Sequence, residues 1–109
     1  MTTFDDRERA FESKFAHDEE LRFRVIARRN RLLGQWAARQ MGLSDAEADA
    51  YAKDVIRADF EEAGDEDVLR KVLGDLTGAG VETDEAQVRE ALGHKEVEAR
   101  RQIMEQTEL

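Results

Sequence analysis

The stretch Thr3–Gln40 decides the fold, and it reads TFDDRERAFESKFAHDEELRFRVIARRNRLLGQWAARQ. It contains no proline, and its single glycine is Gly34, so no residue before that point interrupts a continuous helix. Thr3 supplies an N-cap oxygen, and the aspartates that follow place negative charge at the positive end of the helix dipole. Gly42 is a suitable C-terminal cap. We therefore predict one helix from about Phe4 to Gln40.

The length of this helix limits how it can pack. At 1.5 Å per residue it would be roughly 55 Å long. A compact chain of 109 residues has a radius of gyration of only about 13 Å. The remaining residues therefore cannot cover the whole helix, and we predict a mobile or projecting N-terminal part.

Two separate apolar faces are predicted on this helix. The first holds three phenylalanines at spacings of seven and four, which share one side of a helix: Phe4, Phe11 and Phe15. Charged residues then interrupt the stripe: Asp18, Glu19 and Arg22. The second face has obvious partners in the rest of the chain: Leu21, Val25, Leu32 and Trp36. We therefore divide the chain into an arm, residues 1–16, and a helical body, residues 17–109.

A second helix is predicted directly after the first. Ser44-Asp45-Ala46-Glu47 is a capping box, and apolar residues follow at helical spacing before Gly64: Ala48, Tyr51, Ala52, Val55, Ile56 and Phe60. Residues 21–44 contain six arginines and no acid, whereas residues 45–67 contain ten acids and two basic residues. Opposite charge blocks joined by a tight turn favour an antiparallel hairpin.

Two further helices complete an all-α, four-helix fold. The third should begin at Asp65, and Gly74 is interpreted as its frayed end. Its apolar stripe is Val68, Leu69, Val72, Leu73 and Leu76. The fourth should be capped by Thr83 or Asp84 and run to about Gln106. Its predicted core face is Val88, Leu92, Ala99 and Ile103.

Composition excludes several classes of protein. The net charge of −9 argues against coating nucleic acid through the overall field. The absence of cysteine excludes disulfides and thiolate metal sites. No apolar run approaches the ~20 residues needed to span a bilayer, and the N-terminus has no apolar signal segment. We expect a cytoplasmic protein without direct membrane insertion.

The histidines and carboxylates do not predict an active site. His17 lies in the polar break of the first helix and is interpreted as solvated, although a pH-sensing role remains an alternative. His94 has Glu90 one turn before it, but two ligands make a weak metal site. The many carboxylates are interpreted as solvated faces. We predict neither an enzyme nor a bound cofactor or metal.

Three other features have structural interpretations that we favour. The segment Gly74–Gly80 lacks the lysine and hydroxyl residue of a phosphate loop. Weak adenine-nucleotide binding through arginines is possible, but the sequence contains no phosphate-binding loop to support it. The arginine cluster from Arg22 to Arg31 could grip phosphate, but acidic neighbours should neutralise it. Trp36 is interpreted as a core residue rather than a stacking platform.

The phenylalanine stripe is the best candidate for a binding site. Leaving three rings in water costs roughly 1.5–3 kcal/mol each, and a helix bound in a groove is the state that buries them. Basic residues beside the rings would orient a partner. The predicted partner-binding set is Thr3, Phe4, Arg7, Arg9, Phe11, Lys14 and Phe15. Packing onto the body, a domain-swapped dimer, and a small adaptor that binds another partner remain alternatives.

Two segments carry a resemblance to a known family. The runs TTFDDRERAFESKFAHDEELRFRVIARRNRLLGQWAA and ADAYAKDVIRADFEEAGDEDVLRKVL resemble the zeta subunit of alphaproteobacterial F-type ATP synthases. The resemblance is strongest from Thr3 to Leu73 and weakens after Gly78. The motif FDDRERAF followed by KFAHDEE is long and unusual.

The resemblance implies an inhibitor with a four-helix fold. It implies that an N-terminal segment, here Thr3 to about Ala16, wedges between an alpha and a beta subunit of the catalytic head and reaches toward the gamma subunit. Such binding blocks ATP hydrolysis while synthesis can displace the segment. The resemblance also implies that the protein is held at the inner membrane through the ATP synthase head.

Overall fold

Four helices make up the computed structural model, which describes the backbone of residues 3–61 and 64–107 and the side chains of residues 18–59 and 64–106. They are α1 (Thr3–Gln40), α2 (Asp45–Glu61), α3 (Asp65–Gly78) and α4 (Glu85–Thr107). No strand occurs among these residues. The predicted all-α fold with a long N-terminal helix is therefore confirmed.

Side-chain caps fix the starts of α2 and α4. The Ser44 N–H donates to the Glu47 carboxylate at 3.1 Å, and the Glu47 N–H donates to Ser44 Oγ at 3.2 Å. The Ser44 backbone N–H, followed by the Ser44 side chain, lowers the pKa of the Glu47 carboxyl below its ordinary value. At α4 the Gln87 N–H donates to Asp84 Oδ1 at 2.8 Å. Both predicted caps are confirmed, and Asp84 rather than Thr83 is the residue that binds the backbone.

The turn after α1 directs α2 back along it. Gly42 has a φ of 75°, and the Leu43 N–H donates to the Ala38 carbonyl at 3.0 Å, the geometry of a Schellman cap. The two helices then approach closely at Gly34, where a Cβ atom would lie 2.7 Å from Ala52 Cα. The predicted antiparallel hairpin is therefore confirmed, and Gly34 allows its close packing.

The core lies around α1, which packs between α2 and α4. The predicted faces of α3 and α4 are correct, since most of their residues are buried. The main cluster contains Leu33, Ala37, Val55, Val68, Leu69, Val72, Leu76, Val88 and Leu92. Ala99 and Ile103 extend the buried face of α4. The predicted residue Phe60 lies outside the described side chains.

The buried face of α1 differs from the predicted one. Its buried side chains are Arg29, Asn30, Leu33, Ala37 and Ala38. The predicted residues are only half-buried and flank this face: Leu21, Val25, Leu32 and Trp36. Helix α1 contacts both α2 and α4, and the side chains that it buries include one arginine, one asparagine and two alanines besides Leu33.

Helix α3 continues through Gly74 to Gly78, so the interpretation of Gly74 as a frayed end is wrong. Val72 and Leu76, on either side of it, are fully buried. Their burial stabilises the helix by more than the roughly 1 kcal/mol that a helical glycine costs. Gly74 itself is exposed, and no atom would contact a Cβ placed there.

A polar clamp joins α2 to α3. The Tyr51 hydroxyl donates to Asp75 Oδ2 at 2.8 Å, and Lys71 Nζ lies 3.1 Å from the same oxygen. The Lys71 ammonium also lies 5.4 Å from the centre of the Tyr51 ring. Burial of the ring, together with the hydrogen bond to Asp75, raises the pKa of Tyr51 above its ordinary value.

The molecule measures 65 × 28 × 21 Å. Its long axis runs along helix α1, whose 38 residues correspond to about 57 Å. The 23 residues of α4 correspond to about 35 Å. Among the described side chains of α1, the first buried one is Arg29. The three shorter helices therefore pack mainly on the second half of α1.

Candidate functional site

The predicted partner-binding residues belong to the first turns of α1. Their side chains lie outside the described residues, and so does the side chain of His17. The set is Thr3, Phe4, Arg7, Arg9, Phe11, Lys14 and Phe15. Its role in partner binding remains a prediction, as does the division of the chain at residue 16. The described surface next to this set is residues 18–26 of α1, which we call the helix base.

The helix base lies where α1 enters the body, and it is largely open to solvent. Asp18, Arg22 and Arg24 are exposed, and Leu21 and Ile26 are half-buried. The most exposed large hydrophobic residue of the base is Phe23, which keeps 62% of its surface in contact with solvent. A helix surface of this kind has apolar area that the described residues do not cover.

Two hollows flank the helix base. The first, of ≈ 300 Å³, lies between α1, the end of α2 and the start of α3. It is lined by Arg22, Phe23, Ile26, Ala27, Asn30, Ile56, Asp59, Gly64 and Asp65. The second, of ≈ 550 Å³, lies between α1 and the last turns of α4. It is lined by Asp18, Leu21, Arg22, Val25, Ile26, Arg29, Asp65, Glu96, Arg100 and Met104. Arg22 and Ile26 border both hollows.

A buried arginine separates the helix base from the core. Arg29 is 1% exposed, and its guanidinium lies 3.0 Å from Asp65 Oδ1 and 3.3 Å from Glu96 Oε1. Arg29 Nε and Nη2 also donate to Asn30 Oδ1 at 3.1 and 3.0 Å. A buried guanidinium requires such partners, because removing one leaves an uncompensated charge. The network ties α1 to the start of α3 and to α4.

Asn30 is the second buried polar residue of α1, with 1% of its surface exposed. Its Oδ1 accepts from Arg29, while Nδ2 has no hydrogen-bond partner among the described residues. Sequence reasoning missed both Arg29 and Asn30, because neither residue type suggests burial. Arg29 follows Arg22 by seven residues and therefore lies on the same side of α1.

The charge blocks correctly predicted that α1 and α2 are neighbours, but the described ion pairs of α1 join it to other helices. Within the described part of the chain, no arginine of α1 forms an ion pair with an acid of α2. The only α1 arginine with carboxylate partners there is Arg29, which binds acids of α3 and α4. Arg28 donates to the Gln102 amide at 2.8 Å. Arg22 and Arg24 are exposed cations without an ion pair among the described residues, so neutralisation of the cluster by acidic neighbours remains a prediction.

The described residues contain no group of three or more potential metal ligands. His94 and Glu90 are both exposed on α4. Trp36 is half-buried and packs against the core cluster, which agrees with its interpretation as a packing residue. The segment that follows Gly74 is helical as far as Gly78, and adenine-nucleotide binding remains a prediction.

None of the described helices has a segment both long and apolar enough to cross a membrane. Together the fold and the site define a small four-helix protein with an open surface at the base of one long helix. Comparison with protein families then places it: the model of the family ATPase inhibitor subunit zeta matches residues 1–102. The chain belongs to this family, so an ATPase inhibitor role and binding to an ATPase follow, and the expected resemblance is confirmed.

One solved structure is similar to the chain in sequence and in fold. A structure determined by solution NMR is 49% identical to the chain and superimposes with a TM-score of 0.70. The match covers 79% of this chain and 98% of the other. A search of curated proteins found no match.

Proposed function

We propose that this protein inhibits ATP hydrolysis by the F-type ATPase through the N-terminal segment of α1, Thr3 to about Ala16. The segment would insert between an alpha and a beta subunit of the catalytic head and reach toward the gamma subunit. The observation that carries this proposal is the extent of the family match, which begins at residue 1 and so includes the arm as well as the body.

The packing of α1 supports a division of labour along the chain. The buried side chains among the described residues begin at Arg29 and end at Ile103. The described core therefore lies within the residues that we assign to the body. We propose that the arm is the ligand of the ATPase and is not needed for the body to fold.

The proposed mechanism requires no reaction at the inhibitor. A segment that fits a groove present in only one rotary state of the ATPase stabilises that state and stops the cycle there. The three phenylalanines, at spacings of seven and four, would supply the apolar contact, and Arg7, Arg9 and Lys14 would orient it. The site of action would be the cytoplasmic face of the inner membrane, at the ATP synthase head.

The decisive experiment compares two sets of substitutions in the arm of the full chain. Replacing Phe4, Phe11 and Phe15 by alanine should abolish inhibition of ATP hydrolysis, because it removes the apolar stripe. The matched control replaces Asp6 and Ser13, which lie on the opposite side of the helix by spacing, and should still inhibit. Circular dichroism should show equal helix content in both.

Deletion of residues 1–15 provides an independent test. The deleted chain should unfold at nearly the same temperature as the full chain and should not inhibit. Full inhibition by either the deleted chain or the alanine variant would contradict the proposal that the arm is the inhibitory element.

A further inference from the structure

The helix base has properties that its role in the fold does not explain. Phe23 is 62% exposed, and Arg22 is an exposed cation between two hollows. Across the second hollow, Arg100 of α4 is also exposed. Neither arginine has an ion-pair partner within the described part of the chain, although the protein has a net charge of −9.

We propose that the helix base is a second docking surface for the ATPase head. It would receive an apolar side chain flanked by a carboxylate, from the surface beside the groove that holds the arm. The inference rests on the proposed function, and it adds a contact outside the arm that sets affinity rather than inhibition.

The first argument is the contrast with the other arginines of the body. Arg29, Arg57, Arg70 and Arg89 each lie within 4.0 Å of a carboxylate. Two carboxylates, first Glu66 and then Glu85, raise the pKa of Arg89. The other described arginines have no described carboxylate within that distance, and of these only Arg22 and Arg100 line the second hollow. A positive site on an acidic protein fits an acidic partner surface.

The charged residues that line the second hollow differ in whether they have an ion-pair partner. Three acids line it: Asp18, Asp65 and Glu96. Two of them, Asp65 and Glu96, bind the guanidinium of Arg29. In the second hollow Arg22 and Arg100 therefore meet one acid without an ion-pair partner among the described residues, Asp18, which leaves a positive rim. On its other side Arg22 borders the first hollow, where Asp59 and Asp65 lie. The floor between Arg22 and Arg100 is apolar: Leu21, Val25, Ile26 and Met104.

The second argument is continuity with the arm. Residues 15, 22 and 29 are spaced by seven and so lie on one side of α1, the side on which Arg29 faces the body. A partner bound along the phenylalanine stripe would approach α1 from this side. Arg22 lies only about 10 Å along the helix from residue 15, so the same partner would reach the hollow.

The test uses the full chain and the purified catalytic head of the ATPase. Arg22→Gln with Arg100→Gln removes the two cations of the hollow, and glutamine avoids placing like charges one turn from Asp18. The matched control is Arg24→Gln with Arg101→Gln. These arginines are also exposed and lie one or two residues away, but they do not line the hollow.

The expected result is a split between affinity and maximal inhibition. The first pair should weaken binding about 10-fold at low salt and flatten the salt dependence, while inhibition at saturation stays complete. The control pair should change the dissociation constant by less than about 2-fold, because it alters only the general field. Phe23→Ala should weaken binding more than Val97→Ala, since Val97 is exposed but lines neither hollow.

Three outcomes would overturn the inference. They are equal weakening by both pairs, no weakening by the first pair, and a change in self-association without a change in ATPase binding. In each case the alanine variant of the arm still reports separately on the proposed function. If that variant inhibits normally, the inhibitory role of the arm fails; if only the base variants are neutral, the second docking surface fails.

Discussion

The two described parts of α1 differ in what surrounds them. Between residues 29 and 38 the helix is enclosed by α2 and α4, and five of its side chains are buried. Between residues 18 and 25 no side chain is buried. Arg22 and Arg29 are the same residue type on the same side of one helix, yet only Arg29 has carboxylate partners. Whether an arginine has a structural role therefore depends on the residues that pack around it.

A pair of leucine truncations tests this contrast most strongly. Leu33→Ala should lower the free energy of unfolding by about 3 kcal/mol, because Leu33 is fully buried and its loss leaves a cavity. Leu21→Ala, in the half-buried base, should cost less than about 1 kcal/mol. Urea denaturation measures both. Equal losses would show that the base is part of the core.

The two arginines provide the next test. Arg29→Ala should destabilise the protein by about 2 kcal/mol, since it removes the buried partner of Asp65, Glu96 and Asn30, although the acids can regain water. Arg22→Ala should change stability by less than about 0.5 kcal/mol, because its side chain is exposed. Thermal unfolding at neutral pH gives the comparison. A similar loss for both would mean that Arg22 also has a structural role.

Two glycine substitutions should have opposite signs. Gly34→Ala should cost about 1–2 kcal/mol, because the new Cβ would lie 2.7 Å from the backbone of Ala52. Gly74→Ala should stabilise by up to about 1 kcal/mol, since alanine favours the helix and no atom opposes it. Chemical denaturation of each variant measures the change in its free energy of unfolding. If Gly34→Ala stabilised the protein instead, α1 and α2 could accommodate the new Cβ atom without loss of stability.

The smallest effect concerns the clamp that holds α2 and α3 around the enclosed part of α1. The folded-state pKa of Tyr51 is raised, so its contribution is complete below the unfolded pKa of about 10 and is lost as pH rises through the folded value. Above pH 10 the wild type should lose stability relative to Tyr51→Phe, by less than about 1 kcal/mol since the ring is only half-buried. Denaturation at neutral and alkaline pH measures the difference. Parallel pH profiles would show that Tyr51 is not responsible.

Much of the fold could be predicted because its signals are local. The capping box of Ser44 and Glu47, the cap at Asp84 and the apolar spacing of α3 and α4 each depend on neighbours a few residues apart. The break at Gly74 was predicted wrongly because burial of Val72 and Leu76 outweighs the helix propensity of one glycine.

The centre of α1 could not be predicted from local pattern. Its inward face contains Arg29, Asn30 and Gly34, none of which contributes to an apolar stripe. Two of them are explained by distant residues, Asp65 and Glu96 for the arginine and Ala52 for the glycine, while Asn30 accepts from its neighbour Arg29. Phe23 was also missed as a surface residue, although its position between two arginines and off the stripe is a usable signal.

The seat of Gly34 against Ala52 has a mechanical consequence. If the arm is held by a rotating machine, the load on this protein acts along the axis of α1. Because α1 lies side by side with α2 and α4, such a pull shears many contacts at once instead of peeling them one by one. The close packing at Gly34 opposes sliding of α1 along α2, because interdigitated side chains would have to separate before the helices could move. Under that proposal, the packing of the four helices would resist tension along α1.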